Sequence, residues 1–397
     1  APAGTWSSGG TILSGRMNIG YAGTSTSAMI IMGGYNANNT PPPTRYYDAT
    51  ESYNGTAWTE VNNLNTTSGG LAGMGTSTAA IETGGGSGSL PYHTATELWD
   101  GTSWTETGHN TNAGRETFAS GGSSTAAMIF GGVIGTPVTP PMYYIQNTEI
   151  YNGTTWTEVN NLLVGRQQLQ GSTQGTTTAM LAAGGETNPA DGPPSASLLC
   201  ETWDGTCWTE VGDLTTAVKQ SAVCGTNTAA INVGGYPAVA DSQTWNGTSW
   251  SEGNNLTTGR NSLNSAGITT AALAFGGNPP GVLTESYDGT CWSETTDLNT
   301  PRGAGGSGGT QTAAMMATGA VVPTEANTAN VETYDGTSWT EINNVSTGRY
   351  RSGSCKNGGS GITTDSIIFG GNTPTPVTGI TEEFTSPVYT IKTVTVS

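Results

Sequence analysis

The chain has 397 residues, of which 60 are Gly and only 10% are charged; Lys+Arg is 11 against Asp+Glu 29, a formal charge of −18. That balance offers no cationic footprint to a phosphate backbone, which excludes nucleic acid as a partner. No run of about 18 apolar residues exists, so no membrane-spanning helix is predicted, and Ala1–Trp6 has neither the basic start nor the apolar stretch of a signal peptide.

In chain order, Gly4-Thr5-Trp6 reads as the end of a hairpin whose first half is missing. Arg16 follows, then Gly23-x-x-Thr26, then an apolar run, Ala28–Met32, closed by Gly33-Gly34. A loop holding Tyr35, Tyr46 and Tyr47 comes next, stiffened by Pro41-Pro42-Pro43. Glu51 then begins the phrase Glu-x-aromatic-Asx-Gly-Thr-x-Trp-(Thr/Ser)-Glu, which contains Trp58 and ends at Glu60.

The cycle repeats to the end of the chain, and such a period must be found before any other reading. The phrase returns at Glu97, Glu149, Glu201, Gln243, Glu285 and Glu332, with Trp104, Trp156, Trp208, Trp250, Trp292 and Trp339. Counted from Trp6, successive Trp residues lie 42 to 52 apart. The basic mark returns as Arg115, Arg166, Lys219, Arg260, Arg302 and Arg349, and fails in the second unit, where Gly69 and Gly70 stand. Gly-x-x-Thr occurs in all eight units, the last at Gly361–Thr364. The Gly pair recurs in every unit but the seventh, which has Gly319-Ala320. Half a phrase, Glu382-Glu383-Phe384, ends the array, and a Thr/Val-rich tail runs to Ser397.

Asx-Gly between aromatic-bearing segments predicts a two-residue hairpin with both turn residues at positive φ. Gly-x-x-Thr predicts a second tight hairpin. No stretch holds a helical period, so the chain is all-β. Each unit is expected to form four short strands: a, opened by the basic residue; b, ended by Gly-Gly; c, the Glu-x-aromatic; and d, the Trp. Four strands per unit, eight times over, predict an eight-bladed β-propeller of four-stranded antiparallel blades across 1–385, with a β tail at 386–397 for closure or docking. Trp6 predicts that the N-terminal segment supplies strand d to the blade whose strand c ends at Phe384, in competition with Tyr389 of the tail. The strand-c Glu and the repeat Arg are expected to pair, since a buried carboxylate needs a partner.

The marks resemble the kelch repeat over residues 1–384: Gly-Gly after strand b, an aromatic on c, a Trp on d, an Arg before the next a. The narrower Asx-Gly-Thr-x-Trp and Gly-x-x-Thr-Ala-Ala phrases, with the alternating tail, resemble the kelch-like repeat proteins of tailed phages of aquatic bacteria. That resemblance implies a virion surface or appendage protein, such as a tail fibre, adhesin or decoration protein. Other virion or filament proteins would be partners through the C-terminal segment, and an oligomer is open. A sialidase Asp-box has an extra residue between Asp and Gly, and the Gly-His mark of WD repeats is absent.

Catalytic signals are scarce. The two His, His93 and His109, lie in different units, and no zinc spacing or calcium loop is present. No enzyme activity, catalytic metal or covalent cofactor is expected. Cys200, Cys207, Cys224, Cys291 and Cys355 form no disulfide framework and are expected as free thiols.

The informative variation is in the b–c loops, whose long members cluster in units one to four. The first three of them hold Tyr35, Tyr46, Tyr47, Tyr92, His93, Tyr143 and Tyr144. Rigid aromatic loops on a scaffold mark a binding surface, so this rim is the candidate site for a host-surface glycan or protein. The alternative is a secreted, extracellular carbohydrate-binding lectin-like propeller; an oxidase- or glycosidase-type propeller enzyme ranks below both.

Overall fold

The computed structural model describes residues 5–385 except 12–15, 17, 26–27, 37–44, 56, 89–90, 135–142, 169, 172–176, 188–194, 219–220, 226–227, 323, 325, 347, 349–352, 357–364 and 370–379. The tail at 386–397, Lys219 and Arg349 therefore lie outside the described residues, as do the side chains of Trp6 and Tyr143.

The described residues form strands and no helix, so none is long and apolar enough to cross a membrane. Seven four-stranded antiparallel sheets follow one another along the chain: sheet 1 (20–61), sheet 2 (72–106), sheet 3 (119–158), sheet 4 (170–210), sheet 5 (222–252), sheet 6 (264–294) and sheet 7 (306–341). Each is a meander of strands a to d in sequence order. Sheet 8 is assembled from both ends of the chain. Gly353–Lys356, Asp365–Phe369 and Ile380–Thr385 supply its strands a to c, and Thr5–Thr11 pairs with strand c at the outer edge, Trp6 opposite Phe384.

Strand a of each sheet from 1 to 4 lies against strand a of the next, as it does from sheet 5 to sheet 8, and strand a of sheet 8 lies against that of sheet 1. Sheets 4 and 5 join through a core of Leu181, Ala183, Cys200, Ala230, Trp245 and Trp250. The apolar core is thus divided into slabs between successive sheets. Ile30, Met32, Ala80, Trp99 and Trp104 fill one such slab, and Leu273, Phe275, Ala314, Met316 and Trp339 another. This is a β-propeller-like all-β fold.

The two hairpins of a unit differ from each other. The a–b hairpin has a two-residue loop, Ser77-Thr78 in sheet 2, with Thr76 opposite Ala79. The first Gly of Gly-x-x-Thr sits inside strand a at positive φ, 111° for Gly75, where a Cβ would meet the Ala79 carbonyl oxygen at 2.3 Å. The c–d hairpin corrects the sequence reading. Trp99 faces Trp104, which leaves a four-residue loop, Asp100-Gly101-Thr102-Ser103. Gly101 has φ of 95°, while Asp100 is not at positive φ. Asp100 acts through its side chain: Oδ1 accepts the backbone N–H groups of Thr102 and Ser103, both at 2.8 Å. Asx is therefore selected here as a local acceptor. Cys200, Cys207 and Cys291 are free thiols.

The basic residue does not open strand a. Arg16, Arg115 and Arg260 lie in the d–a connections, and Arg166 and Arg302 in short separate strands that pair with the residues after the Gly pair, whose counterpart in unit seven is Thr318-Gly319, at φ of 62° and 115°, and not Gly319-Ala320. All five are fully buried, and each pairs within its own unit: Arg16 with Glu51, Arg115 with Glu149, Arg166 with Glu201, Arg260 with Glu285 and Arg302 with Glu332. The guanidinium also holds backbone carbonyls, as when Arg166 Nη1 donates to Gly184 and Leu199. Burial pushes Arg115 down and Glu149 up, and each partner's charge opposes the shift.

The slot assigned to Lys219 is held by Val218. In sheets 1 to 6 the second Gly of the pair donates to the backbone carbonyl of the arginine position of the next unit, as Gly85 does to Arg115 and Gly235 to Arg260; from Gly185 the acceptor is Val218, in the unit of sheet 5, and from Gly34 it is Ser68, in the unit of sheet 2. Val218 and Ser68 are therefore the structural counterparts of the arginines. The same approach explains the Gly pair: a Cβ on Gly234, at φ of 62°, would meet the Arg260 carbonyl oxygen at 2.6 Å.

From sheet 2 to sheet 7 the strand-d Trp reaches the preceding sheet. Trp104 Nε1 donates to Thr50 Oγ1, Trp156 to Thr96, Trp208 to Thr148, Trp292 to Ser242 and Trp339 to Thr284. Trp250 meets the Cys200 thiol in the same position, and burial pushes that thiol up to about 12.

Candidate binding rim

The b–c and d–a connections emerge together, and they bring the rim residues into two clusters. The first spans units one to three. The hairpin Tyr35–Asn36 with Arg45–Tyr46 sets the two Tyr rings 5.4 Å apart, tilted by 30°. They lie over Gly69, where a Cβ would meet Tyr35 at 3.0 Å and Tyr46 at 3.1 Å, so the glycine lets both rings rest on the backbone. Tyr92, from the next b–c loop, sets its hydroxyl beside the Glu116 carboxylate, which arrives from the connection into sheet 3. Burial pushes Glu116 up, against the pull of the Tyr92 hydroxyl. It also pushes up Tyr46 and Tyr92, and the Glu116 charge adds to both shifts. Three phenols and one carboxylate thus converge on a shelf of glycines.

The second cluster spans units three and four. The Tyr144 hydroxyl donates to Glu186 Oε2 at 3.1 Å and accepts from Gln167 Nε2 at 2.8 Å. Gln167 Nε2 also donates to Glu186 Oε2, and Thr117 Oγ1 donates to Gln167 Oε1, each at 2.8 Å. Burial first, then the Glu186 charge, pushes Tyr144 up. Beside this cluster Leu163, Val164 and Leu198 are exposed, at 54%, 39% and 39%.

Two of the seven predicted rim residues do different work. Tyr47 lies under the Arg16 guanidinium, 5.9 Å from its ring centroid, and so covers a buried ion pair. His93 is held by its backbone, which donates to the Gly85 carbonyl at 2.8 Å, and partial burial lowers its imidazole below the usual range. Tyr35, Tyr46, Tyr92 and Tyr144 are brought onto the rim as described. The sequence reading did not single out Glu116, Gln167, Glu186 or the apolar trio. Glu116 and Gln167 each stand one place after a repeat Arg, and that offset was the available signal.

The inner strands of sheets 1 to 3 border a cavity of about 660 Å3, lined by Tyr21, Gly73, Gly75, Phe118, Ser120 and Gly121 among others. Among the described residues, no three His, Cys, Asp or Glu side chains converge as metal ligands.

No protein-family model matches the chain, and no curated protein matches it. One solved structure that resembles it is titled "Structure of YjhT"; it is 12% identical, covers 81% of this chain and 96% of that chain, and gives a TM-score of 0.47.

Proposed function

We propose that the chain is an eight-bladed kelch-like propeller that acts without catalysis, as a virion surface or appendage protein presenting one rim to a receptor or partner. The eight four-stranded sheets, and the pairing of Thr5–Thr11 with Ile380–Thr385, support the ring. The resemblance of the repeat phrase to phage kelch-like proteins supports the setting. The observation that carries the binding role is the convergence of Tyr35, Tyr46, Tyr92 and Glu116 on a glycine shelf beside the Tyr144–Gln167–Glu186 cluster.

Phenol rings lose little side-chain entropy on binding and offer both an apolar face and a hydroxyl. Flanking carboxylates and an amide accept and donate the hydrogen bonds that fix orientation. This chemistry suits a glycan or a polar protein loop on a host surface. The test is binding of the labelled, purified chain to candidate host cells and to a glycan array. Tyr46→Ala with Tyr92→Ala should lower binding at least tenfold, equivalent to about 1.4 kcal/mol, at unchanged melting temperature. Undiminished binding by the double variant would remove the rim from the account.

A further inference from the structure

The repeat places a guanidinium at one buried spot in sheets 1, 3, 4, 6 and 7 and omits it in sheets 2 and 5. The two omissions are built in opposite ways. The described residues that fill the sheet 5 spot are neutral: Val218 in the arginine position, Gln243 in the glutamate position and Asn232 paired with it across strands b and c. In sheet 2 Ser68 takes the arginine position, but Glu97 is retained, and a second carboxyl, Glu82, is its direct cross-strand partner. The Glu82 position is Ile31, Ile129, Ala182, Ala274 and Met316 in the sheets that have the Arg.

Both carboxyls are buried, Glu82 at 4% exposure and Glu97 at 1%, and among the described residues neither has an ion-pair partner. Glu97 accepts the backbone and side-chain N–H groups of Asn65. Glu82 Oε2 is buried with no hydrogen-bond partner. Elsewhere the guanidinium bonds two carbonyls, those of Gly131 and Asn147 in sheet 3. Their sheet 2 counterparts are Gly84, which accepts from Ser68 Oγ at 3.1 Å, and Ala95, which accepts from Thr83 Oγ1 at 3.3 Å. The carboxylates, two carbonyls and a hydroxyl therefore gather about the position, with the Asn65 N–H groups already on Glu97.

Two desolvated carboxyl groups must either hold a proton or meet a compensating positive charge. Carboxylates, carbonyls and a hydroxyl are the ligand chemistry of a hard divalent cation. Where no charge need be held, this fold uses amides, as sheet 5 does. We propose that Glu82 and Glu97 bind one calcium ion in the place of the missing guanidinium, tying the connection from sheet 1 to sheet 2. The ligands come from strand b, strand c and the connection, which is why no metal-binding spacing marks them in the sequence.

The test uses the full chain. After gel filtration in calcium, atomic emission should find one ion per chain, and the melting temperature should be higher in millimolar calcium than in excess EGTA. Glu82→Gln should lose both the ion and the response. The combination Ser68→Arg with Glu82→Ile restores the arrangement of sheet 3, and its melting temperature should not respond to calcium; it decides the matter alone if Glu82→Gln does not fold. The proposal fails if the chain binds no calcium and melts at one temperature in both buffers, which would leave the pair sharing a proton. It fails equally if the variants keep the ion, which would place it elsewhere.

Discussion

Sheets 3 and 5 receive the chain through connections that end alike, although the one into sheet 3 is a residue longer. Entering sheet 3, the N–H of Asn112 and the guanidinium of Arg115 both reach the Glu149 carboxylate. Entering sheet 5, the N–H of Thr215 reaches Gln243 Oε1, and Val218 packs where the arginine would be. The constant requirement is an acceptor on strand c for the backbone of the connection. The charge is an addition, and once one partner is charged and buried the other becomes obligatory. A buried ion pair is weak evidence for stability, whereas breaking one is costly.

The largest test of that contrast is Arg115→Met, which strands the Glu149 carboxylate. A loss of about 3–5 kcal/mol is expected from the midpoint and slope of urea unfolding. Importing the sheet 5 solution, Arg115→Val with Glu149→Gln and Ile129→Asn, should recover most of it. If the triple variant is no better than Arg115→Met, the two connections are not equivalent.

A smaller effect is expected where sheet 5 meets sheet 4. Trp250 Nε1 there faces a thiol, a weak acceptor, and makes no hydrogen bond, where Trp208 finds a hydroxyl. Cys200→Thr should stabilise the protein by about 1 kcal/mol, the net contribution of an ordinary hydrogen bond. The same unfolding experiment reads it, and a destabilised variant would show that shape outweighs the bond. In the parent, peptide-level mapping after alkylation under native conditions should find Cys207 modified and Cys200 protected.

The smallest effect separates Asp turns from Asn turns. The backbone N–H groups of Ser103 and Thr102 hold the exposed Asp100 carboxyl below its usual range. Its folded pKa is thus below the unfolded one. Its contribution is present above the unfolded value and is lost as pH falls through the folded value. Asn152, which makes the same two bonds in sheet 3, cannot titrate. NMR titration should show the Asp100 carboxyl ionised at a pH where a model peptide is largely protonated; an ordinary midpoint would refute the turn geometry.

The fold was legible because four marks recur in phase, each answering to a backbone need. What escaped the sequence reading were features set by register. The slot of Val218 is defined by the backbone bond it accepts from Gly185, so a lysine one place later looked like the missing arginine. A further mark was present and unread: an Asx five places after the Trp, at Asn63, Asn161, Asp213, Asn255, Asp297 and Asn344. Its Oδ1 accepts the first N–H of strand c, as Asn161 does from Thr148 at 2.8 Å. Asx residues in a loop look unremarkable until the phase is checked. The rim was half legible. Its Tyr residues stand together in loops of the sequence, but Glu116 and Gln167 reach them from the d–a connections, and only the ring brings these together.

The pairing of Thr5 with Thr385 also sets a clock. The first strand of the array has its partner at the far end of it, and at roughly 5–20 residues per second the ribosome needs on the order of half a minute to make the residues between them. Sheets 1 to 7 are built from contiguous segments and can form in the order they emerge. Throughout that interval the N-terminal segment must stay unpaired and must not settle on the strand-d edge of a finished sheet. Its composition suits the wait. Ser7, Ser8, Gly9 and Gly10 give it little apolar surface with which to take a wrong partner.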